Sequence, residues 1–264
     1  MSTRTRLAVA TLGTLAVGMG LSLAAPASAA PDEAAYDALG DSYAAGFGAG
    51  TALEGGEGCA RTDAAAPLRL DGRKRIALDD FVACSGATTA DLAAQLPALD
   101  ADTDLVTLTI GGNDIGWTQA IGACLLLDDP TCAQAVAGSR LLVQGLLPAR
   151  LDAAFTAVEQ AAPDAHVVVT GYPHLFTPEA GAFANASPEE QEALNEGADL
   201  LDATIEAAAR RQGFVYVDVV RRFEGHGVNA ADPWVDPTTF HPTAKGQETY
   251  AAALTAAIAP QRLR

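Results

Sequence analysis

The 264-residue chain has few basic residues, few aromatic residues and few cysteines. Lysine and arginine together number 16 against 33 aspartate and glutamate residues, so the formal net charge is −17. Such a charge repels nucleic-acid phosphates and anionic lipid surfaces, and we therefore expect no nucleic-acid binding and no stable membrane anchoring. Hydrophobic residues nevertheless make up 49% of the chain, which excludes a wholly disordered protein.

A long uncharged apolar run is found only at the N terminus. Residues 7–25 are apolar or small, two arginines precede them, and an Ala-Ser-Ala sequence at residues 27–29 fits a signal-peptidase cleavage pattern. We predict a secretory signal peptide over residues 1–29 and a single mature domain over residues 30–264, hence a secreted, extracellular protein. A membrane anchor is the alternative, because a run of about 19 residues is barely long enough to span a bilayer.

The chain has four cysteines, and export would allow them to form disulfides. Cys124 and Cys132 flank a short stretch typical of a loop, so a bridge between them is favoured, which leaves Cys59 to pair with Cys84. A zinc site is the competing interpretation. The spacing disfavours it, because no C-x₂-C pair is present and no histidine adjoins a cysteine.

Strand and helix patterns alternate along the mature chain. Near-continuous apolar runs indicate strands buried on both faces of a mostly parallel sheet. The predicted strands span residues 36–39, 76–84, 105–110, 166–170 and 214–218, and the predicted helices span residues 88–96, 141–162, 188–211 and 244–258. This alternation predicts an α/β fold, a three-layer α/β/α sandwich around a mostly parallel five-stranded sheet.

Short polar motifs directly follow the first three predicted strands. They are Gly40-Asp41-Ser42, Cys84-Ser85-Gly86 and Gly111-Gly112-Asn113-Asp114. Ligands of open parallel sheets bind beyond the carboxyl ends of the strands, so the three motifs should converge at one edge. Taken alone, Ser42 is better explained as a helix N-cap and Asn113 as a turn residue.

A serine nucleophile also needs a base, because its hydroxyl is otherwise a weak nucleophile. Of the four histidines, His166 begins a core strand and is better explained as structural. His174 lies in the loop after the fourth strand and is a candidate for contact with substrate, and His226 lies between two glycines, as in a surface loop. His241 precedes a proline and the last helix, and it is the strongest candidate for the base.

Together, these motifs resemble the SGNH (GDSL) hydrolase family, and within it the secreted actinomycete lipases and esterases. The resemblance is carried, in chain order, by Gly40-Asp41-Ser42-Tyr43, Gly86, Gly111-Gly112-Asn113-Asp114 and Phe240-His241-Pro242. Residues 83–89 and 232–234 are specific to the secreted branch. The resemblance implies a flavodoxin-like fold and an ester or lipid substrate.

The resemblance also implies a role for each site residue. Ser42 would be the nucleophile, and His241 the base that later protonates the leaving alcohol. The N–H groups of Ser42 and Gly86 and the side chain of Asn113 would form the oxyanion hole. Water would hydrolyse an acyl-enzyme, and neither a metal nor a cofactor is implied. The bridges Cys59–Cys84 and Cys124–Cys132 match two of this branch.

The chain departs from the family pattern at two places. A third bridge has no counterpart, since Val228-Asn229 stands at one of its positions, and we expect looser loops around residues 174–186 and 225–235. The aspartate usual three residues before the histidine is replaced by Thr238. We predict that the backbone carbonyl of Thr238 accepts the ring N–H of His241. A triad through Asp236 is the alternative.

The sequence leaves the substrate open. Leu125, Leu126 and Leu127, with Phe176 or Phe183, would form an apolar acyl groove or serve as ordinary packing. A carbohydrate acetyl esterase is an alternative function, which an aromatic content of 6% disfavours. A non-catalytic secreted binding protein is a further alternative, and the complete set of motifs argues against it. We expect a monomer.

Overall fold

The structure is a computed structural model and describes residues 33–55, 58–259 and 263. The signal peptide predicted over residues 1–29 lies outside these described residues.

Five parallel strands form one sheet in the order β2-β1-β3-β4-β5. Their bounds are β1 Ala34–Gly40, β2 Ile76–Phe81, β3 Leu105–Thr109, β4 His166–Thr170 and β5 Val215–Val217. The order reverses between β1 and β3, because the chain runs first to one side of β1 and then to the other. Such a reversal opens a crevice at the carboxyl edge of the sheet, where ligands bind.

The described residues also contain eight α-helices. They are α1 Ser42–Ala45, α2 Ala66–Leu70, α3 Trp117–Leu126, α4 Asp129–Gly145, α5 Leu147–Ala161, α6 Pro188–Arg211, α7 Val220–Phe223 and α8 Ala244–Ala257. The start of α6 agrees with the sequence prediction, because Ser187 and Glu190 form a capping box that satisfies free N–H groups of its first turn.

Helices cover both faces of the sheet, which confirms the predicted α/β/α sandwich. Every residue of β3 and β4 is buried, as expected for strands between two helical layers. On one face, Leu151 and Phe155 of α5 and Ile205 of α6 pack against the strands. On the other face the strands pack against α8, which contributes Tyr250, Ala251 and Leu254 to the core.

The helix predicted over residues 88–96 is wrong. Two 3₁₀ turns take its place, Asp91–Ala94 and Leu96–Ala98. Pro97 disfavours helical backbone at the residue before it. The amide of Gln95 also donates to the Gly40 carbonyl and accepts from the Gly40 N–H, at 2.9 and 2.8 Å. The segment therefore supports the end of β1 instead of forming a helix.

The helix predicted over residues 141–162 is in fact two helices, and α3 was not predicted. The chain breaks at Leu146 between α4 and α5, with a bend of 50°. Pro148 in the first turn of α5 lacks the N–H that a continuous helix would need. The stretch between Cys124 and Cys132, predicted as a loop, is mostly the end of α3 and the start of α4.

Both disulfides have the predicted pairing, Cys59–Cys84 and Cys124–Cys132. The first ties the turn after β2 to the loop before it, and the second joins α3 to α4 as a helical hairpin. Among the described residues, no single helix has both the length and the hydropathy of a membrane span; α4 and α5 reach that threshold only as a bent pair.

Candidate active site

The turn after β1 places Ser42 at the start of α1. Gly40 ends the strand with φ of +125°, and a Cβ there would lie 2.5 Å from the carbonyl oxygen of Thr109. Only glycine fits so close to β3 in that backbone conformation. Asp41 then caps α1, because its carboxylate accepts the N–H of Tyr43 at 2.9 Å. Ser42 is therefore the first helical residue, held by the strand before it and the cap beside it.

The Ser42 hydroxyl forms a hydrogen bond with the imidazole of His241, with 2.7 Å between Oγ and Nε2. The other ring nitrogen, Nδ1, lies 2.6 Å from the carbonyl oxygen of Thr239. A carbonyl oxygen can only accept, so Nδ1 must carry the proton. In the neutral ring Nε2 is then the acceptor, and the serine hydroxyl donates to it.

The carbonyl that orients the ring belongs to Thr239, so the prediction of Thr238 is wrong by one residue. The turn before the histidine is tight, because the Phe240 N–H donates to the Asp236 carbonyl at 2.9 Å. Phe240 itself has φ of +58°, which reverses the chain immediately before His241. This reversal brings the carbonyl two residues before the histidine, and not three, within reach of Nδ1.

Asp236, the alternative third group, supports this turn instead of bonding to the ring. Its Oδ1 accepts the N–H groups of Thr238 and Thr239, at 2.9 and 2.8 Å, and the hydroxyl of Thr239. Burial raises the pKa of the Asp236 carboxyl, but these three donors outweigh burial and the net pKa is lowered. The carboxylate thus fixes the peptide whose carbonyl faces His241.

Aromatic rings surround the imidazole of His241. The rings of Phe47 and Tyr43 lie 4.9 and 5.0 Å from it, measured between centroids. Burial lowers the pKa of His241, while the Thr239 carbonyl and the Asp236 charge oppose that shift without cancelling it. The ring is consequently neutral, and able to accept a proton, over a wider pH range than a free histidine.

Three N–H donors face the same cavity as this pair. Ser42 and Gly86 have backbone N–H groups with no acceptor among the described residues. Asn113 donates one amide hydrogen to the Ala87 carbonyl at 2.9 Å, which leaves its second hydrogen available. The same bond fixes Asn113 against the turn that carries Gly86. The sequence-predicted oxyanion donors are therefore brought together at the carboxyl edge of the sheet.

The Cys59–Cys84 disulfide lies directly beside this donor turn. Cys84 donates its N–H to the Gly40 carbonyl at 2.9 Å, and Ser85 donates to the Cys59 carbonyl at 3.0 Å. The bridge thereby holds the chain on both sides of the turn. Gly86 follows with φ of +85° and lines the cavity, and no atom lies within 4 Å of the position that a Cβ would take there.

Tyr172, which no sequence motif singled out, links the two halves of the donor set. Its hydroxyl donates to Asp41 at 2.5 Å and accepts the N–H of Gly112 at 3.0 Å. Asp41 precedes Ser42, and Gly112 precedes Asn113. Burial raises the pKa of Asp41 to about 7, against the lowering effect of the Tyr172 and Tyr43 hydrogen bonds. The position of Tyr172 just after β4, at the shared edge, was the signal available in the sequence.

The cavity beside Ser42 has a volume of about 480 Å³ and is mostly apolar away from the polar groups. Its apolar wall comes chiefly from Trp117 and Ile121 of α3, Leu175, and Ala198 and Leu201 of α6. A Cβ on Gly197 would lie 2.6 Å from the indole of Trp117, so the absence of a side chain there lets the ring lie flush on α6.

The predicted acyl groove of Leu125–Leu127 and Phe176 or Phe183 is not where the apolar wall lies. Leu126 and Leu127 are 75% and 54% exposed. Phe176 is buried in the core and packs against Phe183 and Phe240, with centroids 6.2 and 6.1 Å away. Only Phe240 of these rings lines the cavity. The phenylalanines are thus mainly packing residues; Leu125 is half-buried against the core, and Leu126 and Leu127 face outward.

The other histidines lie apart from the cavity lining. His174 pairs with Asp199 at 2.8 Å, so its predicted contact with substrate is not supported. His226 stacks on Trp234 with 3.6 Å between centroids. His166 is buried at the start of β4, consistent with a structural role. No group of three or more potential ligands within the described ranges is arranged to hold a metal ion.

Asn229 occupies part of the region where the third family bridge is missing. Its Oδ1 accepts the Thr177 N–H at 2.8 Å, and its amide lies within 3.0 Å of the Gly181 carbonyl and of the Gln191 side chain. Hydrogen bonds therefore join the two loops that we expected to be loosely connected.

A parallel sheet whose carboxyl edge brings together a serine hydroxyl, an imidazole and unpaired N–H donors defines the class of α/β serine hydrolases. The model of the GDSL-like lipase/acylhydrolase family matches residues 38–249. The chain belongs to this family and is a carboxylic ester hydrolase, as the resemblance predicted.

Individual relatives agree with this assignment. Lipase 1 of Streptomyces coelicolor is 37% identical over 243 residues, which cover 88% of this chain and 90% of that protein. The crystal structure of phospholipase A1 from Streptomyces albidoflavus NA297 is 38% identical with a TM-score of 0.81, covering 86% of this chain and all of that one. An extracellular lipase from Streptomyces rimosus is 36% identical with a TM-score of 0.81, covering 85% and 100%.

Proposed function

We propose that the protein is a secreted lipase or esterase that hydrolyses acyl esters through an acyl-enzyme on Ser42. The observation that carries this proposal is the 2.7 Å hydrogen bond between Ser42 Oγ and His241 Nε2, in a cavity that also holds three N–H donors. A hydroxyl already bonded to an unprotonated ring nitrogen is ready to attack a carbonyl carbon.

In the first half-reaction, Ser42 Oγ attacks the ester carbonyl carbon and its proton passes to His241 Nε2. The carbonyl oxygen becomes an oxyanion, which the N–H groups of Ser42 and Gly86 and the free amide hydrogen of Asn113 stabilise. His241 then gives the proton to the departing alkoxide oxygen, so an alcohol leaves and the acyl group stays on Ser42. Water repeats the same steps and releases the carboxylic acid.

The imidazolium formed in each step is stabilised by a neutral acceptor, the carbonyl of Thr239. That carbonyl fixes the tautomer as a carboxylate would, but it supplies only a dipole. The Asp236 charge acts from farther away and favours imidazolium. Ser42 and His241 thus form a dyad supported by a backbone turn.

The apolar wall of Trp117, Ile121 and Leu201 favours an acyl chain longer than acetyl. The Streptomyces relatives, a phospholipase A1 and lipases, support the same substrate class. Initial rates with p-nitrophenyl acetate, butyrate and palmitate test it. We expect kcat/KM to rise from acetate to butyrate; a preference for acetate would favour a carbohydrate acetyl esterase instead.

A serine-directed phosphonate tests the nucleophile. We expect one covalent adduct, located on Ser42 by peptide mass spectrometry, and no adduct in Ser42→Ala. Ser187→Ala is the matched control, because that serine only caps α6, and its rate of labelling should equal that of the unaltered protein. An adduct on Ser187 or on Ser85, or labelling that survives in Ser42→Ala, would contradict the proposal.

Secretion is proposed from the N-terminal pattern, the two disulfides and the extracellular lipase among the relatives. Expression of the full chain in an actinomycete host and N-terminal sequencing of the protein in the medium test it. We expect the mature chain to begin at Ala30, or one residue later.

A further inference from the structure

We propose that Leu126 and Leu127, hereafter the leucine tip, dock the protein onto the surface of an aggregated zwitterionic lipid. This inference deepens the proposed function and rests on it, since it states how the site would reach a lipid substrate.

The leucine tip is a pair of exposed apolar side chains at the turn of the α3–α4 hairpin. Leu126 is 75% exposed and Leu127 is 54% exposed, and the two are adjacent in sequence at the turn between the helices. Single exposed leucines are common on soluble proteins, whereas contiguous exposed apolar side chains mark interaction sites.

The position of the leucine tip connects it to the candidate active site. Trp117 and Ile121, in the first turns of α3, line the cavity beside Ser42. The same helix ends at Leu126, about 14 Å from Trp117 by the rise per residue, and Leu127 is its C-cap. One helix therefore runs from the cavity wall to the exposed leucines, so a lipid surface that contacts the tip lies at the end of a helix that also lines the cavity.

The hairpin is built to hold the leucines outward. Cys124 and Cys132 are both buried, and their disulfide joins the last turn of α3 to the first turn of α4. Asp128 caps α4 by accepting the Thr131 N–H at 3.0 Å. Both helix ends are thus fixed on either side of a two-residue turn, and Leu127 in that turn is 54% exposed.

The surrounding charge indicates which surface the tip accepts. Asp128 and Asp129 directly follow the leucine tip, and Glu189 and Glu190 of α6 line the same groove as Cys132. These carboxylates, in a chain of net charge −17, oppose contact with an anionic bilayer. They also oppose a symmetric dimer through the tip, because the acidic flanks of two copies would face each other. A zwitterionic surface remains compatible.

Co-sedimentation with phosphatidylcholine vesicles tests the proposal. We expect the unaltered protein to bind these vesicles and to bind phosphatidylglycerol vesicles more weakly. The double substitution Leu126→Ser with Leu127→Ser should reduce the partition coefficient about tenfold or more, because two apolar side chains no longer leave water. Leu141→Ser is the control: Leu141 is 69% exposed and adjoins Leu142, which is 38% exposed, but it lies on α4 about 18 Å from the start of that helix, and this variant should bind as the unaltered protein does.

A fluorescence measurement gives an independent readout. Leu127→Trp adds a third tryptophan to Trp117 and Trp234. We expect the fluorescence emission of the new tryptophan to shift to shorter wavelength when phosphatidylcholine vesicles are present. No shift, or an equal loss of binding in Leu141→Ser and in the double variant, would overturn the proposal. So would double-variant binding equal to that of the unaltered protein, or a tip that mediates dimers in sedimentation velocity without binding vesicles.

Hydrolysis of dissolved p-nitrophenyl butyrate distinguishes a failure of lipid docking from a failure of the proposed esterase function. The double variant should keep the kcat/KM of the unaltered protein for this soluble ester, because the leucine tip lies outside the cavity lining. If the unaltered protein hydrolyses the soluble ester but does not bind phosphatidylcholine, the docking proposal fails and the proposed function stands. If it binds vesicles but hydrolyses no ester, the proposed function fails.

Discussion

Two carboxylates support the two halves of the site, and their pKa values shift in opposite directions. Asp41 lies beside Ser42 in the turn after β1, where burial raises the pKa of Asp41 to about 7. Asp236 lies in the loop before His241, where three hydrogen bonds outweigh burial and lower its pKa. The turn that carries Ser42 is therefore supported by a buried carboxyl group whose ionisation is disfavoured. The turn before His241 is held by a partly exposed carboxyl group whose ionised form is favoured.

The two halves of the site depend on different structural features and should differ in their tolerance of substitutions. The serine half depends on strand ends, a glycine with no room for a side chain and a buried Asp41–Tyr172 hydrogen bond. The histidine half depends on one backbone carbonyl, whose position follows from the Asp236 turn and the reversed backbone at Phe240. Substitutions in the first half should change catalysis more than substitutions in the second.

The largest effect is expected at Asn113, in the serine half. Asn113→Ala removes one proposed oxyanion donor, so we expect kcat to fall by about 10²–10³, equivalent to about 2.7–4 kcal/mol of transition-state stabilisation. Steady-state kinetics with p-nitrophenyl butyrate measure it, and thermal unfolding checks that the fold persists. A loss below about fivefold would mean that Asn113 is not an oxyanion donor.

The next largest effect is expected in the pH dependence of the free energy of unfolding. The pKa of Asp41 is about 7 in the folded protein and 3.8 in the reference peptide, so the folded state binds this proton more tightly. Protonated Asp41 therefore raises the free energy of unfolding by a few kcal/mol below about pH 4, and this stabilisation is lost as pH rises through 7. Urea unfolding at several pH values measures this loss.

Asp41→Asn isolates that contribution. Burial also raises the pKa of Asp37 and Asp202, so part of the decline with pH remains in any variant. The decline between pH 4 and 7 should nevertheless be smaller in Asp41→Asn than in the unaltered protein. Equal declines would show that Asp41 is not the group responsible.

A smaller effect is expected from Tyr172→Phe. The variant keeps the ring that packs edge-on against Tyr43 but loses the hydroxyl between Asp41 and Gly112. We expect kcat to fall about tenfold with little change in KM, because the donors move relative to Ser42 and each ordinary hydrogen bond is worth about 1 kcal/mol.

Tyr36→Phe is the matched control for that variant. The Tyr36 hydroxyl also makes a buried hydrogen bond, to Thr107 at 2.6 Å, but deep in the sheet. Its loss should lower the thermal midpoint about as much as Tyr172→Phe does while kcat stays unchanged. If both variants lower kcat alike, Tyr172 acts through general stability and not through the site.

The smallest effects belong to Asp236. Asp236→Asn keeps an oxygen that accepts the turn N–H groups, so kcat should stay within about threefold, whereas a triad carboxylate contributes about 10⁴. Asp236→Ala loses the turn and should cost about tenfold. Removing the negative charge also lowers the pKa of His241 slightly, so the acidic limb of kcat/KM should move to lower pH in Asp236→Asn. A loss of 10³ or more in that variant would restore the triad.

The sequence predicted the serine half well because its information is local. Each motif directly follows an apolar strand, and parallel strands end at one edge, so Gly40, Gly86 and Asn113 were predicted to converge. The start of α6 at the Ser187 cap followed from a similarly local pattern.

The remaining features depend on contacts that residue types do not encode. Every residue except proline offers the same carbonyl and N–H, so the choice between Thr238 and Thr239 depends on the turn geometry at Phe240. The Tyr172 hydroxyl links Asp41 and Gly112, which are both distant from it in sequence. The Asp-Asp-Pro stretch after Leu127 resembles a loop, yet Asp128 and Pro130 begin a helix.

The hydrogen bond between His241 and the backbone carbonyl of Thr239 affects which mutations this site tolerates during evolution. Side-chain mutation at that codon cannot delete a peptide oxygen, so point changes there leave the imidazole with its partner as long as the loop keeps its path. The orientation of His241 should therefore be lost through insertions and deletions in this loop more readily than through single amino-acid exchanges.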